Sequence, residues 1–159
     1  MKHLPKHLQP RWRYLAVGVE TWPDADIDRA AIQHALWEAA RGLLGDLGSA
    51  RLDLTVLSAG VSEGTGGFVV RTYRGEVERA RAVVASVTEI DGHEVGLRVR
   101  GTSGTVRACE EKYMRQRRER TDQRDVVFRD AERSASVRGD RVDVWTGGSF
   151  AGATTLDLG

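Results

Sequence analysis

A change of hydrophobic period between residues 95 and 113 constrains this chain more than any other feature. Val95, Leu97 and Val99 alternate with Gly96, Arg98 and Arg100. That two-residue period belongs to a half-buried strand with its apolar side chains on one face and both arginines on the other. Gly101 and Gly104 then let the backbone turn sharply, and Ser103 or Thr105 can cap a helix after the turn. Val106, Cys109 and Tyr113 recur at three- and four-residue spacing, the buried face of a helix whose wet side carries Arg107, Lys112 and Arg115. A strand therefore feeds through a glycine-rich turn into a basic helix. A helix start with uncommitted N–H groups, hydroxyls and flanking arginines suits an anion, and phosphate is the obvious one. No Gly-Lys-Ser/Thr follows Gly104, so the nucleotide-binding P-loop is excluded. An ordinary capped turn with solvated arginines uses the same residues, and local chemistry leaves both readings open.

The rest of the chain supplies partners for this strand. Residues 1–11 bear lysines, histidines and the prolines Pro5 and Pro10, and read as an extended arm. Trp12 to Glu20 alternates with Leu15, Val17 and Val19 on one face and Trp12, Tyr14, Ala16 and Gly18 on the other, which predicts the first strand. Tyr14 could stack on a base or belong to a small apolar patch under the last helix. Asp24 or Asp26 can cap a helix striped by Ile32, Leu36 and Leu43 and ended at Gly45 or Gly48. Leu52, Leu54 and Val56 predict a second strand, Gly60 to Gly67 a hairpin loop, and Phe68 to Tyr73 a third strand. After Gly75, the positions Val77, Ala80, Val84 and Val87 have helical spacing, and Asp91-Gly92 turns into the fourth strand.

The order strand, helix, strand, strand, helix, strand is that of the split βαβ, or ferredoxin-like, fold: an α+β four-stranded antiparallel sheet with two helices on one face, here followed by a C-terminal helix. Its first and last strands are neighbours, which brings Arg13 toward Arg100. We expect one domain over residues 1–120 and an appendage over 121–159, with a hairpin around Arg138-Gly-Asp-Arg141 and a loose tail from Gly147.

Charge is sorted along the chain. The 159 residues carry a net charge of +1, yet residues 1–20 carry +3, 21–97 carry −5, 98–120 carry +5 and 121–159 carry −2. Two basic stretches that the fold brings together make one basic face. A single cysteine, Cys109, rules out an internal disulfide and fits a reducing cytoplasm. His3, His7, His34 and His93 lack metal-ligand spacing, and no long apolar run is present, so neither a metal site nor a membrane span is expected. No nucleophile–base constellation and no carboxylate pair in an apolar setting appears, which points to a binder.

Two segments resemble a known family. Met-Lys-His-Leu-Pro-Lys-His-Leu-Gln-Pro-Arg-Trp-Arg-Tyr14 and Ser103-Gly-Thr-Val-Arg-Ala-Cys-Glu-Glu-Lys-Tyr113, with Leu36-Trp-Glu-Ala-Ala40, Leu43-Leu-Gly-Asp-Leu-Gly-Ser49 and Val70-Arg-Thr-Tyr-Arg-Gly-Glu-Val77 between them, are similar to the archaeal ribonuclease P protein component 2 family over roughly residues 1–114. The resemblance implies a cytoplasmic subunit of the ribonucleoprotein that removes the 5′ leader from precursor tRNA. It places catalysis, with magnesium, in the RNA subunit, and gives this chain neither catalytic residues nor a cofactor. It also implies partners: ribonuclease P RNA and precursor tRNA, the barrel-shaped protein component 3, and self-pairing in a two-plus-two assembly. The expected RNA-facing set is Arg11, Arg13, Arg98, Arg100, Thr102, Ser103, Gly104, Arg107 and Lys112. Two rival readings use the same scaffold, a small-molecule regulatory module and a protein-only assembly factor, since fold alone settles no function.

Overall fold

The structure, a computed structural model, describes residue 5 and residues 11–114 and 121–158. The expected arm at 1–10, apart from Pro5, and the expected basic continuation at 115–120 lie outside the described residues.

Among the described residues are two antiparallel sheets and three α-helices. Strand β1 (Trp12–Thr21) is followed by α1 (Arg29–Leu52), β2 (Thr55–Ser62), β3 (Thr65–Tyr73), α2 (Val77–Ser86), β4 (Glu89–Ile90), β5 (His93–Ser103) and α3 (Val106–Cys109), which runs on as a π-turn over Glu110–Met114. The first sheet has the order β2-β3-β1-β5-β4, so β1 does lie beside β5. The expected four-stranded ferredoxin-like sheet is thus corrected to five strands. The extra one exists because Asp91 and Gly92, with φ of 51° and 79°, form a two-residue turn that pairs Glu89–Ile90 with His93–Glu94.

Local chemistry shifts several expected boundaries. Asp28, not Asp24 or Asp26, caps α1, its carboxylate accepting from the Ala31 N–H at 2.7 Å. Gly45 adopts φ 70° and kinks α1 without ending it, so the helix runs to Leu52 and closes on Asp53 in the left-handed region. The glycine-rich segment at 60–67 is mostly strand, with only Glu63-Gly64 turning. Gly64 is required there: its φ is 80°, and a side chain would meet the Thr21 carbonyl oxygen at 2.6 Å.

One face of the first sheet, bearing Leu15, Val17, Val19, Phe68 and Val70, packs on Ile32, Leu36 and Ala40 of α1 and Ala80, Val83 and Val84 of α2. Most of these side chains are fully buried. Gln33 locks α1 to β2 by donating to Leu54 O at 2.9 Å and accepting from Val56 N at 2.8 Å. The opposite face carries α3, through a small cluster of Ala16, Val69 and Cys109 with Tyr14, Tyr113 and Met114 beside it. Tyr14 therefore belongs to the patch under the last helix. Cys109 donates its S–H to Tyr14 O at 3.7 Å, and burial, with Glu110 adding repulsion, pushes its thiol up to about 11.

Residues 121–158 form a second sheet, an antiparallel meander of β6 (Asp122–Phe128), β7 (Ala131–Arg138), β8 (Arg141–Trp145) and β9 (Phe150–Thr154). The hairpin expected at Arg138–Arg141 is present, whereas the tail expected to be loose supplies β9, paired with β8 from Arg141↔Thr154 to Trp145↔Phe150. One face buries Val126, Phe128, Val137, Val142 and Val144 in a core of its own. The other meets the end of β1. Trp22 stacks on Phe150 with ring centres 6.2 Å apart, Arg141 pairs with Glu20 at 2.8 Å, and Arg138 lies beside the Glu63-Gly64 turn. Beneath them Asp143, fully buried, is shared by Arg138 at 3.1 Å and Arg141 at 3.3 Å.

The apolar core between sheet and helices draws only on residues 15–99. A chain ending after residue 120 is therefore expected to keep a cooperative thermal melt by circular dichroism. It should melt several degrees lower, since the lost stack and exposed ion pair together contribute roughly 1–2 kcal/mol. A non-cooperative melt would show that the second sheet is part of one folding unit. Cys109 gives a pH prediction. Its folded pKa is raised from 9.0 to about 11, so the stability it contributes is constant below pH 9 and is lost as pH rises from 9 to 11. The native thiol is expected to resist an alkylating reagent at pH 8 and to react after denaturation; fast labelling of folded protein would contradict the burial.

Candidate nucleic-acid interface

Arg98 and Arg100 stand on the α3 face of the sheet, as their alternation with Leu97 and Val99 requires. Gly18 of β1 pairs directly with Arg98, and the register then slips: Val17 faces Val99 while Ala16 faces Gly101, so Arg100 is the extra residue of a β-bulge. The bulge swings Arg100 across Gly18, where a side chain would meet its Nε at 2.7 Å. Its Nη1 then donates to Tyr113 O at 3.4 Å. The Tyr113 ring lies close against Gly101, and Met114 against Gly67. Glycines on this face permit a closeness that any Cβ would prevent.

The result is a groove of about 720 Å3 floored by Gly18 and Gly96 and edged by Arg98, Arg100, Lys112 and Tyr113. Lys112, from the π-turn after α3, also sits 5.3 Å from the Tyr113 ring centre. The acidic residues that could neutralise these cations are engaged elsewhere. Glu20 pairs with Arg141, Glu111 with Arg107 at 2.9 Å, and Glu110 accepts from Ser58 at 3.5 Å. Among the described residues, neither Arg98 nor Arg100 forms an ion pair.

The other expected site residues do not join this groove. Arg13 pairs across to Thr72 on the face of α1 and α2, and reaches the neighbourhood of Gly104 at the far end of β5. It is five residues along β1 from Gly18, roughly 17 Å from the Arg98 position at about 3.4 Å per residue. The expected meeting of Arg13 and Arg100 is corrected accordingly: strand adjacency was right, but register and face separate the side chains. Thr102 and Ser103 are strand residues opposite Leu15 and Tyr14, not a turn. The cap of α3 is Thr105, which accepts from Ala108 N at 3.1 Å, so that N–H is already committed. Arg107 is tied to Glu111, and Arg11 is exposed at the entrance to β1.

Sequence reasoning missed the floor and one aromatic stack. Gly18 and Ala16, small residues on the outward side of a clear strand, were the available signal that something lies close against that side. Near the start of β1, Trp12 stacks on Tyr73 at 4.4 Å, and the Arg71 guanidinium lies 3.8 Å from the Trp12 ring centre. Trp12 and Trp22 are each half-buried against a stacked ring, whereas Trp37 is exposed on α1 with Leu43 and Leu47, and Trp145 is exposed on β8. Among the described residues no three metal-ligating side chains converge, and no helix is long and apolar enough to cross a membrane.

Comparison with known proteins identifies the family to which the first sheet and α3 belong. A profile of the Rpp14/Pop5 family matches residues 13–114, the span of the first sheet and α3. The chain is 59% identical to ribonuclease P protein component 2 of Halorubrum lacusprofundi, over 99% of both chains. It is likewise 59% identical to the protein of that name from Natronomonas pharaonis, over 99% of this chain and 98% of the relative. Ribonuclease P protein component 2 of Thermococcus kodakarensis is 34% identical to it over 71% of this chain and 91% of the relative. A chain in the cryo-EM structure of yeast ribonuclease MRP covers 63% of this chain and 79% of its own length, with 13% identity and a TM-score of 0.46. The profile match over 102 residues and the 59% identity across nearly the whole of two ribonuclease P proteins place this chain in the Rpp14/Pop5 family as a protein subunit of ribonuclease P.

Proposed function

We propose that this subunit serves ribonuclease P by laying its glycine-floored groove against an RNA backbone, with Arg98, Arg100 and Lys112 contacting phosphates. One observation carries the reading. Three cations converge on a groove whose neighbouring carboxylates pair with other residues, Glu20 with Arg141 and Glu111 with Arg107, so that among the described residues Arg98 and Arg100 have no ion-pair partner. Arginine offers two parallel N–H donors to a phosphate, while Lys112 acts as a point charge. Arg11, Arg13 and Arg107 lie outside the groove and would act as separate, peripheral contacts. The long strands of the first sheet, in the order β2-β3-β1-β5, support reading the core as a split βαβ unit to which β4 is an edge addition.

Catalysis belongs to the RNA subunit and its magnesium ions, and this chain supplies shape and charge. The protein partners would be the barrel-shaped component 3 and a second copy of this chain. Trp37, Leu43 and Leu47 of α1 supply exposed apolar area for such a contact.

Replacing both Arg98 and Arg100 with alanine is expected to weaken binding to transcribed ribonuclease P RNA. It should flatten the slope of log affinity against log salt by roughly 0.7–0.9 per lost phosphate contact, while the melting temperature stays nearly unchanged. A large drop in melting temperature with RNA affinity intact would mean that the arginines hold the fold. Incubating the protein with magnesium and precursor tRNA in the absence of the RNA subunit is expected to yield no 5′ processing. Reproducible cleavage in that mixture would refute the assignment of catalysis to RNA.

A further inference from the structure

Among the described residues that line the Arg98–Arg100–Lys112 groove, Glu20 is the one carboxylate. It stands opposite Gly96 on β5, and Gly18, two residues earlier on the same face of β1, stands opposite Arg98. Glu20 and Arg98 are therefore diagonal cross-strand neighbours on one face, with Cβ atoms about 7–8 Å apart, a separation long side chains of opposite charge readily bridge. Gly96 contributes no side chain to keep them apart. Yet the Glu20 carboxylate turns to the second sheet, where Arg141 Nη1 donates to it at 2.8 Å. Arg141 is itself fixed: its Nε donates to Asp143 Oδ1 at 3.3 Å and its Nη2 to the Thr21 carbonyl oxygen at 3.5 Å. Asp143 has a second partner in Arg138, at 3.1 Å.

We propose that Arg141 is a positioning residue for RNA binding: by capturing Glu20 it keeps that carboxylate from pairing with Arg98, so the second sheet sets the charge of a groove it does not line. The proposal rests on the RNA-binding reading of the groove. The physical step is competition between two arginines for one carboxylate. Arg141 has the advantage because two other acceptors, Asp143 and the Thr21 carbonyl oxygen, already hold its guanidinium, so pairing with Glu20 costs it little further side-chain entropy. Arg98, which has no such anchors, would have to be ordered by the same contact. Removing Arg141 leaves Asp143 paired with Arg138, so the buried charge remains compensated and the second sheet keeps its own core.

The test is a rescue experiment with the full chain and transcribed ribonuclease P RNA, followed by fluorescence anisotropy across a salt series. Arg141→Ala is expected to weaken binding about three- to fivefold, the scale of one exposed ion pair, and to flatten the salt slope by roughly 0.7–0.9 as Arg98 is drawn onto Glu20. Adding Glu20→Gln removes the competitor, so the double variant E20Q/R141A is expected to recover both the affinity and the slope. Arg141→Met, which keeps the aliphatic stem, repeats the comparison should the alanine variant loosen the second sheet. If Arg141 merely clips the two sheets together, the double variant stays as weak as the single one, and that outcome overturns the proposal. Wild-type affinity in R141A overturns it equally. The double substitution R98A/R100A in the same assay separates the two levels: if it leaves affinity unchanged, the groove itself has been misread, whereas sensitivity there with no effect or no rescue at Arg141 defeats only this inference.

Discussion

The close approach of the π-turn after α3 to the outer face of the first sheet organises the rest of this structure. It works because Gly18, Gly67 and Gly101 carry no side chains where Arg100, Met114 and Tyr113 lie. A β-sheet face built of ordinary residues would hold the segment several ångströms higher, and the Ala16–Val69–Cys109 cluster would lose its cover. The bulge at Arg100 is part of the same arrangement. An extra residue in β5 locally breaks the ladder, and here it aims a guanidinium along the surface toward the Tyr113 carbonyl oxygen.

Burial divides labour between the two faces of that sheet. The face toward α1 and α2 is a dry, continuous apolar core, and it gives the first unit its stability. The outer face is covered only in part, so its remaining strip combines rigid backbone with exposed cations. A binding surface gains from this arrangement, because strands hold their side chains in place without the ordering cost that a flexible loop would add.

The second sheet is joined through polar and aromatic contacts, not through a shared apolar core. Asp143 sits at the centre of that joint, fully buried and paired with two arginines. Removing Asp143 would leave the buried Arg138 guanidinium without a partner, a loss that typically costs about 3–5 kcal/mol, whereas removing Arg141 leaves the Arg138–Asp143 pair in place. The same pairs give little net stability over apolar packing, so their better-supported contribution is a fixed geometry between β8 and the end of β1. The profile match ends at residue 114, before this sheet begins, while the haloarchaeal relatives align across it.

Much of the plan was legible in the residues. Period-two runs located β1, β3 and β5, helical spacing located α1 and α2, and alternation alone put Arg98 and Arg100 on the face away from the core, because side-chain direction along a strand depends only on parity. The strand order that makes β1 and β5 neighbours came from the sequence of elements. Register did not, because it depends on how two distant strands slide and where a bulge absorbs a residue; that decided that Arg13 and Arg100 lie apart. Glycine-rich stretches were ambiguous for a similar reason: a glycine between residues 60 and 67 can serve a loop or a tightly paired strand, and only the partner strand selects. The tail carried weak local signals, since β9 is mostly small residues and has no stability away from β8. The sequence by itself therefore determined which residues of β1, β3, β5, α1 and α2 face inward, because that depends only on period. The tertiary structure alone decided which charges meet, because an ion pair such as Glu20 with Arg141 joins positions 121 residues apart whose encounter no local pattern records.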